Sequence, residues 1–432
     1  MSDTTGTAAG PATASATEEH RAIVIAADRV QALPHAPTIY KGAVLVRNGL
    51  IEAVGQASDL GPADVELGDR TLIAGMIDAH VHLSSWPDGP RPLPNHQTSE
   101  MQVMKVISNA QRFLRVGVTS VRDLGGPGTV VGSVRDAIAN RTLTGCRIQT
   151  SDEVITITGG HGNAFGMECD DATSMRRAVR QHVKQGSDWI KIMASGGFTN
   201  PYRSEKETPF APLFDAEEMR TIVAEAHHFG LPATAHCQGR ESIILAFEAG
   251  VDTLEHVSFA DKPHAVVDQD VARAIADKKI PAVPTTNNYW LTKGVPWAPI
   301  DIALANLKIL YDCGIILAAG TDMGLPSTTP ETYADGLAVM AVAGIPLRDV
   351  LAAATTAAAL VVGQPEQVGQ ITPGYVADLV ALDGDPLSDV DAYKRVAWVM
   401  IDGQIVSSRN DDRFSSPSLP ESGWNGVHLF GD

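Results

Sequence analysis

Between residues 74 and 363, short runs of β-type residues alternate with longer stretches of helical periodicity. Strands are predicted over residues 76–83, 119–123, 147–155, 189–194, 233–237, 253–257, 281–285 and 315–320. Helical patterns such as 101–115, 216–229 and 303–313 lie between them, and Gly117, Gly230, Gly250 and Gly314 stand where helices commonly end. Strand and helix in alternation are the pattern of βα units and a parallel sheet. Eight units over this length predict an α/β fold of the (β/α)8 TIM-barrel type. An open doubly wound sheet has the same periodicity and stays open as the rival.

The two ends are built differently. Residues 22–26, 43–46 and 51–54 are β-type around the hairpin signal Asn48-Gly49. Residues 379–382, 396–401 and 404–406 repeat that style around Asp402-Gly403. The ends are therefore expected to meet as one small sheet domain, residues 20–73 with 364–409, beside a barrel domain over 74–363. Residues 1–19 read as a disordered tail and 410–432 as an irregular one, rich in Ser, Pro and Gly.

Composition narrows the partners. With 33 basic and 51 acidic side chains the net charge is −18, which repels phosphate backbones, so nucleic acid is excluded. A hydrophobic fraction of 44% is enough for a large core. The first residues lack a basic stretch followed by an apolar one, and no apolar run is long enough to span a bilayer, so no signal peptide and no membrane are expected. Cys146, Cys169, Cys237 and Cys313 form no CxxC pair, which fits a reducing, cytoplasmic setting.

In a TIM barrel the chemistry sits at the carboxyl ends of the strands. His80 and His82 close the first strand, Lys191 lies in the fourth, His236 ends the fifth, His256 ends the sixth, and Asp322 follows the eighth. An i, i+2 pair on a strand points both imidazoles to one face, as a divalent-metal clamp needs. Lys191 stands in the apolar run Trp189-Ile190-Lys191-Ile192-Met193. Burial there would lower its pKa, and a neutral amine can react with carbon dioxide to give a carbamate able to bridge two metals. Taken one at a time these residues have plainer readings: a lysine reaching solvent, packed histidines, an Asp capping a helix. Six such residues at one end of five strands favour a shared site.

These residues resemble the amidohydrolase superfamily, in particular its binuclear members with a carboxylated lysine. The resemblance is carried by Gly75-Met76-Ile77-Asp78-Ala79-His80-Val81-His82, Ile190-Lys191-Ile192, Ala235-His236, Glu255-His256, Gly320-Thr321-Asp322 and the segment 369–387. Gly159-Gly160-His161-Gly162 is similar to the loop after strand three in the group of prolidases, basic-residue carboxypeptidases and ochratoxin-hydrolysing amidases. The resemblance implies a barrel with a small β-sandwich domain from both ends, and a homo-oligomer. It implies two divalent metal ions, zinc above cobalt or manganese. His80, His82 and Asp322 would hold one, His236 and His256 the other, with Lys191 carboxylated by carbon dioxide between them.

The implied activity is hydrolysis of an amide or peptide-type C–N bond in a small molecule, such as an N-acyl amino acid, an Xaa-Pro dipeptide or an ochratoxin-like aryl amide. Asp322 would shuttle the proton, and His161 would donate a hydrogen bond to the carbonyl oxygen. Deaminases of the superfamily place a glutamate three residues after the fifth-strand histidine; here that residue is Gly239. An inert scaffold would have lost ligands. Members that bind a free α-carboxylate tend to have a tyrosine where this chain has Gln238, which leaves room for aryl ureas or carbamates. The remaining candidate substrate contacts are Trp86, Pro87, Arg91 and His96, then Phe198, Tyr202 and Arg203, then Asn287, Tyr289 and Trp290. His227-His228 is expected on the surface.

Overall fold

The computed structural model describes residues 22–87, 98–197, 208–261, 265–292, 294–296 and 298–408. The two tails expected at 1–19 and 410–432 lie outside the described residues.

Strands from both ends share one sheet. Its order is Gln404–Ser408, Val396–Ile401, Leu379–Asp383, Arg70–Ala74, Ile23–Val30, Ile39–Arg47 and Leu50–Gln56, with Val65–Glu66 also paired to Ile23–Val30. The halves join where Arg70–Ala74 runs antiparallel to Leu379–Asp383, Ile73 opposite Val380. Two hairpins turn on Asn48-Gly49 (φ 55° and 79°) and Asp402-Gly403 (φ 49° and 74°). Positive φ at both central residues gives a turn whose twist matches that of the strands, and Asn, Asp and Gly tolerate it best. Ile25, Val44, Leu72, Leu379, Trp398 and Met400 fill this domain's core.

The intervening chain is parallel. Met76–Val81, Val118–Asp123 and Arg147–Thr150 form a three-stranded sheet. Gly166–Glu168, Val154–Thr156, Ile190–Met193, Ala233–Gly239, Thr253–Ala260 and Ala282–Val283 form a six-stranded one in that order. Helices such as Ser99–Arg115, Ala172–Gln185, Ala216–His228, Gln269–Asp277 and Ile300–Asp312 alternate with the strands, and the main core lies between the two layers. Residues 316–323 link the sheets. The Ala282 amide donates to the Ile316 carbonyl at 2.9 Å, Ala79 to Ala319 at 2.9 Å and His82 to Met323 at 2.7 Å.

Two strands differ from expectation. The run 147–155 is split because Asp152 adopts φ 53°, which takes it off the ladder; its carboxylate accepts from the Gly132 amide and the Ser187 hydroxyl. The run 315–320 forms no ladder; it pairs through the isolated bridge of Leu317 with Ala282, and just beyond it Met323 bridges to Val81. Its backbone comes very close to its neighbours at Gly320, where a Cβ would sit 2.3 Å from Val283 Cγ1 and 3.1 Å from the His80 backbone nitrogen. Only glycine fits there.

The sheet domain meets the amino ends of the three-stranded parallel sheet, where the Gly75 amide donates to the Asp378 carbonyl at 2.8 Å. Arg147, the first residue of its strand, reaches Asp378 at 2.5 Å and Asp402 at 2.5 Å. The carboxyl ends are left for the candidate chemistry.

Candidate active site

On Met76–Val81, Ile77 and Ala79 pack against Ala358, Ala359 and Val361 of the helix Thr356–Val361. Alternation along a strand therefore turns Asp78 and His80 to the opposite face. His80 is 1% exposed. The Asp322 carboxylate lies 3.6 Å from its Nε2 and 3.3 Å from Nε2 of His82. Asp78 holds the segment that carries Asp322, accepting from the Thr321 hydroxyl at 2.6 Å and the Thr321 amide at 3.1 Å. Asp322 itself sits at φ 56°.

The strand Thr253–Ala260 supplies the next groups by breaking its own periodicity. His256, Val257 and Phe259 have φ 69°, 47° and 48°, and the register against Ala233–Gly239 shifts over this stretch. A bulge of this kind re-aims side chains beside functional sites. As a result the consecutive residues Glu255 and His256 both reach His80. Glu255 Oε2 is 2.8 Å from His80 Nδ1, and the His256 ring lies 5.1 Å from the His80 ring. His256 Nδ1 is 2.9 Å from the Thr285 hydroxyl. His236, on Ala233–Gly239, has its ring 4.3 Å from that of His256.

Burial sets the charge state of the group. It lowers His80 to about 4, and it takes His236 and His256 well below the ordinary histidine value, so all three are neutral near pH 7 and keep a lone pair. Burial alone would raise Asp322, but the hydrogen bond to His82 and the nearby imidazoles hold it well below the usual carboxylate range. Burial lowers Lys191 to about 8. Lys191 lies in Ile190–Met193, which pairs with the strand of His236, and its charge depresses His80, His161, His236 and His256 alike.

Neutral imidazoles around an ionised carboxylate suit a divalent cation. His80, His256 and Asp322 each offer a ligand atom within 4.8 Å of the others. The residues present fit a metal.

His161 stands beside this group, with its ring 4.6 Å from that of His236. It packs where Gly197 has no side chain; a Cβ there would lie 2.3 Å from His161 Cε1. Its Nδ1 is buried with no partner among the described residues, and burial lowers its pKa to about 4. Gln238 is buried two residues beyond His236, its Oε1 accepting from Ser258 Oγ at 2.5 Å. Trp86 carries the Lys105 ammonium 4.8 Å above its ring, and the Tyr289 hydroxyl donates to the Pro326 carbonyl. Asn287 donates to the Thr321 carbonyl at 3.0 Å, and Trp290 is buried in the main core. Tyr202 and Arg203, with Arg91, His96 and Phe198, lie outside the described residues. His227 and His228 are exposed on Ala216–His228.

The sequence profile of the amidohydrolase family matches residues 71–406, a stretch that holds every group just described. The chain belongs to that family. This amidohydrolase is 28% identical over 397 residues to an ochratoxinase of Aspergillus niger, covering 82% of this chain and 79% of that one. A solved prolidase with bound N-methylphosphonate-L-proline is 26% identical, with a TM-score of 0.77 over 90% of this chain and all (100%) of that one. A Xaa-Pro dipeptidase structure shares the fold at 24% identity and a TM-score of 0.76, covering 89% and 99%. These structural neighbours of the amidohydrolase imply a TIM barrel with a β-sandwich.

Two buried groups were given no role by the sequence reading. Arg122, from Val118–Asp123, and Glu255 form an ion pair at 2.7 Å behind His80, both side chains fully buried. The available signal was charge inside two apolar-type strands, Arg122 with Asp123 in one and Glu255 in the other. On a regular strand, however, Glu255 would point away from the face of its neighbour His256.

Proposed function

We propose that this amidohydrolase hydrolyses an amide or peptide-type C–N bond of a small molecule at a centre for two divalent cations, zinc foremost. The observation that carries the reading is the approach of His80 and His82 from the end of one strand, His236 and His256 from two others, and Asp322 from the segment after Gly320, to ring distances of 4.3–5.5 Å and carboxylate distances of 3.3 and 3.6 Å. His80, His82 and Asp322 would hold one cation, His236 and His256 the other, and Lys191 as its carbamate would stand between them. Bound cations would supply Lewis acidity and lower the pKa of water at the site.

The chain's own groups do the rest. Asp322, held ionised, takes the proton of the attacking water and returns it to the departing amine. His161, as its Nδ1–H tautomer, donates to the carbonyl oxygen as charge builds there. The reading includes a closed (β/α)8 barrel over 74–363 with a β-sandwich from 20–73 and 364–409, a cytoplasmic homo-oligomer, and no nucleic-acid or membrane partner.

Gln238 favours a second reading, an aryl urea or carbamate as substrate. Its carboxamide is neutral and tied to Ser258, so it offers hydrogen bonds without a charge for a free carboxylate. Deamination is disfavoured sterically. A Cβ on Gly239 would lie 2.7 Å from the Phe210 backbone, leaving no room for a glutamate.

The test is a screen of the zinc-loaded protein against N-acyl amino acids, Xaa-Pro dipeptides, ochratoxin-like aryl amides and phenylureas, with and without chelator. Turnover of at least one class, lost on chelation and restored by zinc, is expected. Turnover that survives complete metal removal would overturn the mechanism.

A further inference from the structure

The pair behind His80 has no assigned role. Arg122 donates from Nε to the Ala79 carbonyl at 2.8 Å, from Nη1 to Thr253 Oγ1 at 3.0 Å and from Nη2 to Glu255 Oε1 at 2.7 Å. Its guanidinium also stacks 4.6 Å over the Trp189 ring. Oε1 of Glu255 takes two more hydroxyls, Thr234 at 2.6 Å and Thr253 at 3.2 Å. The other carboxylate oxygen, Oε2, faces His80 Nδ1 at 2.8 Å.

We propose that Arg122 and Glu255 are positioning residues that fix the tautomer and ring plane of His80, so that Nε2 is presented to a divalent cation with its lone pair free. The inference rests on the metal reading above. A carboxylate that can only accept requires a proton on Nδ1, and a neutral imidazole has one N–H to give. Outer groups of this kind tune a ligand's basicity, and losing one costs roughly 10–100-fold in metal affinity. Fixing Oε1 with three donors leaves Glu255 one orientation, which a free carboxylate side chain would not keep. Arg122 supplies the counter-charge that lets the carboxylate stay ionised in a dry interior. The bulge at His256 is what allows this. Without it, one strand could not place both the Glu255 carboxylate and the His256 imidazole against the same histidine.

Three measurements on the full chain test this. In metal-free wild type, nitrogen-15 NMR should show His80 protonated at Nδ1; a proton on Nε2 would overturn the proposal without any variant. Zinc affinity, read by competition with a chromophoric chelator, should fall 10–100-fold in Glu255→Gln, and the His80 signal should become a mixture of tautomers. Glu255→Gln leaves Arg122 without its counter-ion and so could misfold. The double variant Arg122→Met, Glu255→Leu removes both charges and should fold, with the same loss of affinity. Wild-type zinc affinity in a folded variant would overturn the inference. If wild type binds no zinc at all, the proposed function fails, and the tautomer claim is then decided by the metal-free spectrum alone.

Discussion

Asp322 and Lys191 occupy the two positions where one atom decides the chemistry. Asp322→Asn keeps the shape of the side chain but removes its proton affinity. Turnover should drop by roughly 10²–10⁴-fold while the circular dichroism spectrum stays close to wild type; near-normal turnover would remove Asp322 as the proton carrier. Lys191→Ala removes the amine that burial lowers to about 8. Zinc per chain should fall from two toward one or none, with loss of turnover, and full zinc content with normal rates would refute the bridge. At this scale the sequence was informative where a ligand type met a strand end, as at His80, His82, His236 and His256. It gave Glu255 a place in a motif but no role. Nothing in a run of non-glycine residues announces the φ of 69° at His256 that brings its predecessor onto the same histidine.

Helix ends were legible because they are marked by chemistry local to the chain. Asp215 accepts from the Glu217 and Glu218 amides, and Glu218 reaches back to the Asp215 amide, which starts Ala216–His228 where the pattern begins. Strand ends were less so, as the split at Asp152 shows: a left-handed residue other than glycine leaves no mark in composition. The same kind of position offers a stability test. Lys279, just past Gln269–Asp277, is exposed at φ 57° and donates its amide to the Ala276 carbonyl. Glycine adopts this conformation without the Cβ clash, so Lys279→Gly should stabilise the protein by about 1 kcal/mol. Urea titration would measure it, and a destabilised variant would contradict the capping geometry.

For the molecule as a whole, the joint between the sheet domain and the parallel strands rests on buried charge. Asp378 is 1% exposed, with Arg147 as its counter-ion and the Asp402 amide as a second donor at 2.9 Å. Arg147→Leu should cost about 3 kcal/mol or more by stranding that carboxylate, seen as a lower melting temperature; an unchanged one would show that the joint does not need the pair. Acid should weaken the protein through its buried histidines. His182 is fully buried with Nε2 2.9 Å from the Glu153 carbonyl oxygen, and burial lowers its pKa from 6.5 to about 4. The unfolded chain therefore takes up that proton first as pH falls below 6.5. Stability is full above this pH and declines toward pH 4, by on the order of 3 kcal/mol for this residue. His182→Gln, which keeps a donor but cannot titrate, should flatten that part of the pH–stability curve, and an unchanged slope would exclude His182 as a contributor. Both hairpins could be read from Asn48-Gly49 and Asp402-Gly403; the order in which their strands pair could not, because it is fixed by contacts between distant parts of the chain.

That pairing also bears on synthesis. Arg70 bonds to Asp383, 313 positions later. While the polypeptide is being made, the edge of Arg70–Ala74 stays open until Leu379–Asp383 has left the ribosome. Contacts so remote slow folding and leave an unpaired edge free to catch other chains. A nascent chain stalled before residue 379 should therefore be a ready chaperone client and prone to aggregate, even if its histidines were already in place.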